Sequence, residues 1–381
     1  MKERTLMTRR HRPIFLLALA AGLIAGLAPA ARPAGAASAC DADENAAVAA
    51  VAAVAAADSE TRAGAPLDAR LDARIVYAVA RPAAQIDTTI AVRPGSRLEL
   101  QSFDGTIDVA TWSKNAVRIE ASHGRHEVVE AHYADGVLRV HSGSRRSPPG
   151  SVDYRLSVPA WLPIALAGVY CDVTADGVRG GISVETVKGD VTVKGVVGHI
   201  SLRTVEGAVV LERAKGRIEV SSVNEGVRVI GADGDILAES VNGDIDLLGI
   251  DSPSVEASTV NGQVTYAGSI QDEGGYRFSS HNGGIAVGLG DDVNALVSVS
   301  TFSGDFASAF PVRLTDTHHK RFNFTLGTGK ARLELESFQG AIRLEKRATL
   351  RVQDLVRLGQ KLRIEELERR KDEETEKGDE R

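Results

Sequence analysis

One pattern constrains this chain more than any other. The stretch Ile182-Ser-Val-Glu-Thr-Val-Lys-Gly-Asp-Val-Thr-Val193 recurs as Ile200-Ser-Leu-Arg-Thr-Val-Glu-Gly-Ala-Val-Val-Leu211, and again from Ile218, Ile236, Val255, Tyr276 and Val297. The intervals are 18, 18, 18, 19, 21 and 21 residues. A copy in the same apolar phase starts at Ile164, and two outlying copies start at Leu98 and Leu333, making ten. Self-similarity at a short fixed period is the mark of a repeat architecture.

The twelve-residue template alternates apolar and polar positions in two short runs, which is strand periodicity. A Ser or Thr stands fifth, and a turn separates the runs. Gly105, Gly189, Gly207, Gly243, Gly262, Gly283, Gly304 and Gly340 supply that turn, and in the Ile218 copy the glycine slips one place to Gly226. Glycine accepts the positive φ that a tight corner often needs. The expected fold is therefore all-β: a single-domain β-solenoid of about ten coils of 18–21 residues, spaced about 4.8 Å apart along the axis. No coil buries its apolar row alone, so stability comes from neighbours.

Stacking aligns like residues. Thr186, Thr204, Ser222, Ser240, Thr259, Ser280 and Thr301 form one row, and Asn224, Asn242, Asn261 and Asn282 form an Asn ladder at the turn. Such amides either bond one another and the turn backbone or face a sugar; the first is expected. Only 4% of residues are aromatic and 38 are Gly, which suits thin coils filled by Val, Ile and Leu, with Phe103, Phe302 and Phe338 concentrated in the outer copies.

Residues 76–163 are less regular and read as the N-terminal end of the same solenoid. Val117–Glu120, Val137–His141 and Val152–Pro159 are predicted strands, with Asp135-Gly136 as a hairpin turn. The predicted organisation is a signal peptide over 1–39, an Ala-rich flexible spacer over 40–75, the solenoid over 76–347 and a charged tail over 348–381. The basic start (Lys2, Arg4, Arg9, Arg10, Arg12), the apolar run Ile14–Leu27 and the sites Ala28-Pro-Ala30 and Ala37-Ser-Ala39 carry the signal-peptide reading. Cleavage falls after Ala30 or Ala39. Cys40 raises lipidation, but no Leu stands three residues before it. Without residues 1–39 the formal net charge falls from −6 to −11, which gives no help in binding DNA or anionic lipid. In the tail, Leu355, Leu358 and Leu362 share one helical face. This short charged helix would cap the solenoid end or pair weakly with another copy.

Few residues point to chemistry. A left-handed acyltransferase β-helix needs an aliphatic residue every six, but Lys188 and Lys194 occupy those places after Ile182. A pectin-lyase-like groove needs an acidic row; Asp190, Asp244 and Asp305 share a position that Ala208, Gly226, Gln263 and Gly284 interrupt. His123, His126 and His132 are the local histidine cluster and read as a polar turn between strands. Gly327-Thr-Gly-Lys330 lacks the upstream Gly and the following Ser/Thr of a phosphate loop. Two cysteines exclude a disulfide-dense scaffold. No catalytic, cofactor or metal residue is expected.

The repeat region resembles the bacterial putative-adhesin domain family. The resemblance rests on Val152-Asp-Tyr-Arg-Leu-Ser-Val-Pro159, on Val187-Lys-Gly-Asp190 and Val241-Asn-Gly-Asp244, and on Phe302-Ser-Gly-Asp305 with Gly327-Thr-Gly329. It covers roughly residues 86–346 and implies an exported β-solenoid with no assigned catalytic residues. The expected function is a non-enzymatic envelope or cell-surface interaction module whose partner is an envelope protein or surface polymer. The alternatives are a component of an envelope-stress system that acts through the tail, and a glycan-active β-helix enzyme. Expected locations are the periplasm, outer envelope or exterior, with no spanning segment after signal cleavage.

Overall fold

A computed structural model of the chain describes residues 73–76, 84–144, 149–312, 321–348 and 350. The expected signal segment, most of the spacer and the tail beyond 350 lie outside these residues. Among the described residues the strands number 24. The first eight are β1 (Ala73–Val76), β2 (Ala84–Ala91), β3 (Arg97–Trp112), β4 (Ala116–His123), β5 (Glu127–Ala134), β6 (Val137–Ser144), β7 (Val152–Pro159) and β8 (Ile164–Asp176). The regular copies follow as β9 (Ile182–Lys188), β10 (Val191–Lys194), β11 (Val197–Thr204), β12 (Val209–Glu212), β13 (Lys215–Ser222), β14 (Val227–Ile230), β15 (Asp233–Ser240), β16 (Ile245–Thr259), β17 (Val264–Gly268), β18 (Gly275–Ser280) and β19 (Ile285–Leu289). The last five are β20 (Ala295–Thr301), β21 (Phe306–Ser308), β22 (Arg321–Leu326), β23 (Ala331–Ser337) and β24 (Ile342–Lys346).

Each copy contributes to two sheets. In the first sheet Ile164, Ile182, Ile200, Ile218, Ile236, Val255 and Tyr276 pair in turn, all parallel. In the second, Val173, Val191, Val209, Val227, Ile245, Val264 and Ile285 do the same. Strand alternation decides what is buried: Ile182, Val184, Thr186, Val191 and Val193 face inward, while Glu185 is exposed. The long strands β8 and β16 serve both sheets, so hydrogen bonds close a ring through β8, β9, β11, β13, β15, β16, β14, β12 and β10. This circuit is not a barrel.

Stacking order departs from chain order at the end. The spacing places the Val297 copy directly on the Tyr276 copy. Instead β23 lies between β18 and β20, pairing Tyr276 with Leu333 and Leu333 with Val297. In the second sheet β24 lies likewise between β19 and β21. A repeat specifies register, not sequence of stacking, because any copy fits any other. The chain makes the outer rung first, returns through the antiparallel strand β22 on β20, and fills the gap last. At the other end the Leu98 copy sits directly on the Ile164 copy, so all ten copies are contiguous.

Residues 84–163 continue both sheets. β6 and β7 add parallel rows on the far side of β3. Antiparallel strands then end the stack, β5 and β1 on the first sheet and β4 and β2 on the second. β1 reaches back into the stretch read as spacer, so its boundary at 75 moves. Asp135 (φ 52°) and Gly136 (φ 76°) form the β5–β6 turn, and positive φ at both places gives the type I′ geometry that matches strand twist.

The core holds more rings than composition suggested. Tyr154, Tyr266, Tyr276 and Phe278 are fully buried. The longer intervals accommodate two of them. The Tyr266 hydroxyl donates to the Ser269 carbonyl at 2.7 Å; the Tyr276 hydroxyl donates to Ser252 O at 2.6 Å and accepts from Gln271 N at 2.8 Å. The extra corner residues thus meet phenol groups that would otherwise be buried unbonded, at a cost of about 1–3 kcal/mol each.

Candidate functional site

The most uniform feature is the edge where the first strand of each copy turns into the second, template positions five to nine. At position five the hydroxyls are buried and bond the turn carbonyl of the rung beneath. Thr204 donates to Gly189 O at 3.2 Å, Ser222 to Gly207 O at 2.9 Å, Thr259 to Gly243 O at 3.0 Å and Ser337 to Gly283 O at 3.0 Å. A turn carbonyl inside a stack has no strand partner, and the Ser/Thr row supplies one.

At position eight the glycines answer a close approach. A Cβ on Gly189, Gly207, Gly243, Gly262, Gly283, Gly340 or Gly304 would overlap the eighth-residue carbonyl oxygen of the rung beneath: Cys171, Gly189, Glu225, Gly243, Gly262, Gly283 and Gly340 respectively. Gly105 meets the Val152 carbonyl in the same way. The expectation of positive φ holds for Gly105, Gly189, Gly207 and Gly340, but Gly226, Gly243, Gly262, Gly283 and Gly304 lack it. Packing between rungs, not corner conformation, is the common cause. In the Ile164 copy Cys171 holds this place. Its side chain turns inward, against the position a Cβ on Gly168 would take. Cys171 is a free, buried thiol, and burial pushes its pKa up; Cys40 lies outside the described residues.

At position seven the Asn ladder forms as expected. Asn242 Nδ2 donates to Asn224 Oδ1 (3.1 Å), Asn261 to Asn242 (2.8 Å) and Asn282 to Asn261 (2.7 Å). The amides bond one another and form a seam between rungs. At position nine, Asp190 Oδ1 accepts from Ala208 N and Asp244 Oδ1 from Gln263 N, each at 2.8 Å. Two of the three acids compared with a glycan-cleaving groove, Asp190 and Asp244, are therefore tied to backbone.

Position six is different. Its row runs Phe103, Val169, Val187, Val205, Val223, Val241, Val260, His281, Phe338 and Phe302 in spatial order. Val187, His281, Phe338 and Phe302 in it are exposed, and the other six are half-buried. Phe302 is 68% exposed and Phe338 40%, so both rings lie on the surface. His281 and Phe338 stack with centroids 4.7 Å apart and planes 6° apart; Phe338 and Phe302 stack at 4.7 Å and 3°. Sequence reasoning missed this platform because chain order puts Phe302 beside His281, whereas the inserted rung puts Phe338 between them. The signal was an aromatic residue at the same template position in both late copies.

The remaining candidates do not assemble a reactive centre. His123 Nδ1 lies 2.9 Å from Gly124 O, and among the described residues no group of three or more His, Cys, Asp or Glu is placed to hold a metal. Lys330 pairs with Asp272 at 2.6 Å. An open depression of about 350 Å³ lies over Thr106, Glu120, Asp153 and Arg155; Asp153 in it accepts from both Thr106 N and Oγ1 at 3.0 Å.

On the outer face of the first sheet, burial pushes the Glu239 carboxyl above its ordinary range, Glu256 and Glu219 add to this, and Arg203 opposes it. A carboxyl that holds its proton more tightly folded than unfolded destabilises the fold as pH rises through that interval, and the penalty is absent below the unfolded value. Glu239→Gln is therefore expected to raise the denaturation midpoint at pH 7 and to leave it unchanged below about pH 4. An equal gain at both values would show that charge is not the cause.

A comparison with protein-family models finds no match, and none of the curated proteins matches. Among solved structures, the crystal structure of a "putative cell adhesion protein" from Clostridium sporogenes is similar over 69% of this chain and 100% of its own, at 6% identity and a TM-score of 0.21. A likeness that distant carries no argument about what this chain does.

Proposed function

We propose that the chain is an exported, non-enzymatic, adhesin-like interaction module: a β-solenoid of about ten coils that presents its turn edge to a protein of the cell envelope. The solenoid reading is supported by ten copies in parallel register, with the same template positions aligned from rung to rung. The non-enzymatic reading is supported by the use to which the edge's polar groups are put. The hydroxyls, amides and two of the acids bond other rungs.

The row at position six, exposed at Val187, His281, Phe338 and Phe302, carries the interaction. Its rings cover each other's faces, so a chain of sugars would find no series of free platforms. What it presents is ring edges, a valine ridge and the open outer face of Phe302. That surface suits an apolar or aromatic side chain of a protein. Burying one such ring contributes about 1.5–3 kcal/mol, or roughly a tenfold change in affinity or more.

The test is retention of envelope proteins by the immobilised chain. Phe302→Ser is expected to release a specifically retained partner, about tenfold or more, with the strand signal in circular dichroism unchanged. Equal retention by parent and variant would remove the turn edge from the reading. Turnover of a polysaccharide by the purified chain would end the non-enzymatic one.

A further inference from the structure

Three of the four amides in the Asn seam stand directly before a glycine: Asn242-Gly243, Asn261-Gly262 and Asn282-Gly283. The chain has no other Asn-Gly pair. A glycine has no side chain to hinder its own nitrogen, so that nitrogen can attack Cγ of the Asn before it. An N–Cγ bond forms, the Cγ–Nδ2 bond breaks, ammonia leaves with the amide proton, and a five-membered imide results. Water then adds to one of the two imide carbonyls, giving aspartate or isoaspartate. All three side chains are exposed, so water reaches each of them.

The fold restrains the three to different degrees. The leaving nitrogen is the one that donates to the rung beneath, so reaction requires the amide to leave the seam. Asn242 and Asn261 are held on both sides, donating through Nδ2 and accepting through Oδ1. Asn282 donates to Asn261 at 2.7 Å. Among the described residues nothing donates to its own Oδ1, because the inserted rung carries Gln339 at that place and Gln339 bonds the His281 carbonyl through its backbone. The attacking nitrogens differ too. Gly243 N donates to Ser240 Oγ at 3.0 Å, whereas among the described residues nothing accepts from Gly262 N or Gly283 N.

We propose that Asn282 is a site of spontaneous deamidation, and that the modification spreads down the seam from it to Asn261, with Asn242 last. Asn282 has one seam bond and an untied nucleophile, Asn261 two bonds and an untied nucleophile, and Asn242 two bonds and a tied one. The spread follows from the product. A carboxylate at position 282 faces Asn261 Oδ1, acceptor against acceptor, so the bond between them is lost and Asn261 becomes the free end. Isoaspartate also adds a carbon to the backbone at a corner where Gly283 is already packed on the Gly262 carbonyl. Either product brings a negative charge beside His281, the inner ring of the exposed stack.

The experiment uses the full chain, incubated in mildly alkaline buffer both folded and in urea, with peptide masses reporting the conversion of each amide to acid. In urea the three sites are expected to react at comparable rates, since only the dipeptide then matters. In the folded chain Asn282 is expected to react at least about tenfold faster than Asn242, with Asn261 between them. Equal rates in the folded chain, an order led by Asn261 or Asn242, or an unreacted Asn282 once the urea sample has converted fully would overturn the proposal. A second arm starts from the product. Asn282→Asp is expected to speed the reaction of Asn261 by roughly three- to tenfold, and an unchanged rate there would overturn the spread along the seam.

Discussion

Gly243→Ala is expected to destabilise the protein by about 3–5 kcal/mol, near the upper end for single substitutions. The new methyl group would overlap the Glu225 carbonyl and crowd Gly226 N. Both are backbone and cannot swing aside. Relief requires widening a rung spacing of about 4.8 Å, which would lengthen the strand pairings on both sides. Two comparisons isolate the cause. Gly231 has φ +67° and nothing within reach of an added Cβ, so Gly231→Ala should cost only the left-handed strain, about 1–2 kcal/mol. Gly275 has neither positive φ nor a close neighbour, and Gly275→Ala should stabilise by about 0.4–1 kcal/mol through the unfolded chain. Denaturant midpoints of the three variants check the ranking. Equal losses at Gly231 and Gly243 would mean that corner conformation, not the approach of the next rung, explains the glycine row.

Leu335→Ala is expected to cost about 2–5 kcal/mol, the range for a buried leucine, and to loosen two places at once. Leu335 is fully buried in β23, between Phe278 of β18 and Val299 of β20. Amide exchange should quicken in β18 and in β20 together. Val299→Ala, one rung farther out, should quicken β20 and β22 and spare β18. Stacking in chain order makes the opposite forecast, since β20 would then be the strand in contact with β18. An exchange map in which Val299→Ala loosens β18 more than Leu335→Ala does would overturn the inserted rung.

The repeat was legible because period-2 alternation and a recurrent turn leave a mark in every copy. Register and the Asn224–Asn282 seam follow from it directly, and the Asp135-Gly136 turn from its own dipeptide. The stacking order did not follow. Copies that share one template are interchangeable partners, and the connections between them choose. The one hint was Arg321–Leu326, an alternating segment outside the template, which required a neighbour of its own. The stacking of Phe338 on Phe302 was hidden because it depends on the order of the rungs. The reason for the turn glycines was hidden as well, since a close approach between residues 18 apart leaves no local trace.

Nine residues separate the two strand starts in every copy, from Leu98 to Ile107 through Leu333 to Ile342. All variation in interval falls at the opposite corner, for example at 249–254 and 268–275. The two corners therefore have unequal freedom to change during evolution. A residue gained at the glycine corner would break the hydroxyl, amide and carbonyl rows at once. A residue gained at the other corner shifts no row, and can be used to reach over a larger side chain, as 269–274 does for Tyr266 and Tyr276. Diversity among descendants of such a chain should accumulate along one side of the molecule, while the opposite side stays almost invariant.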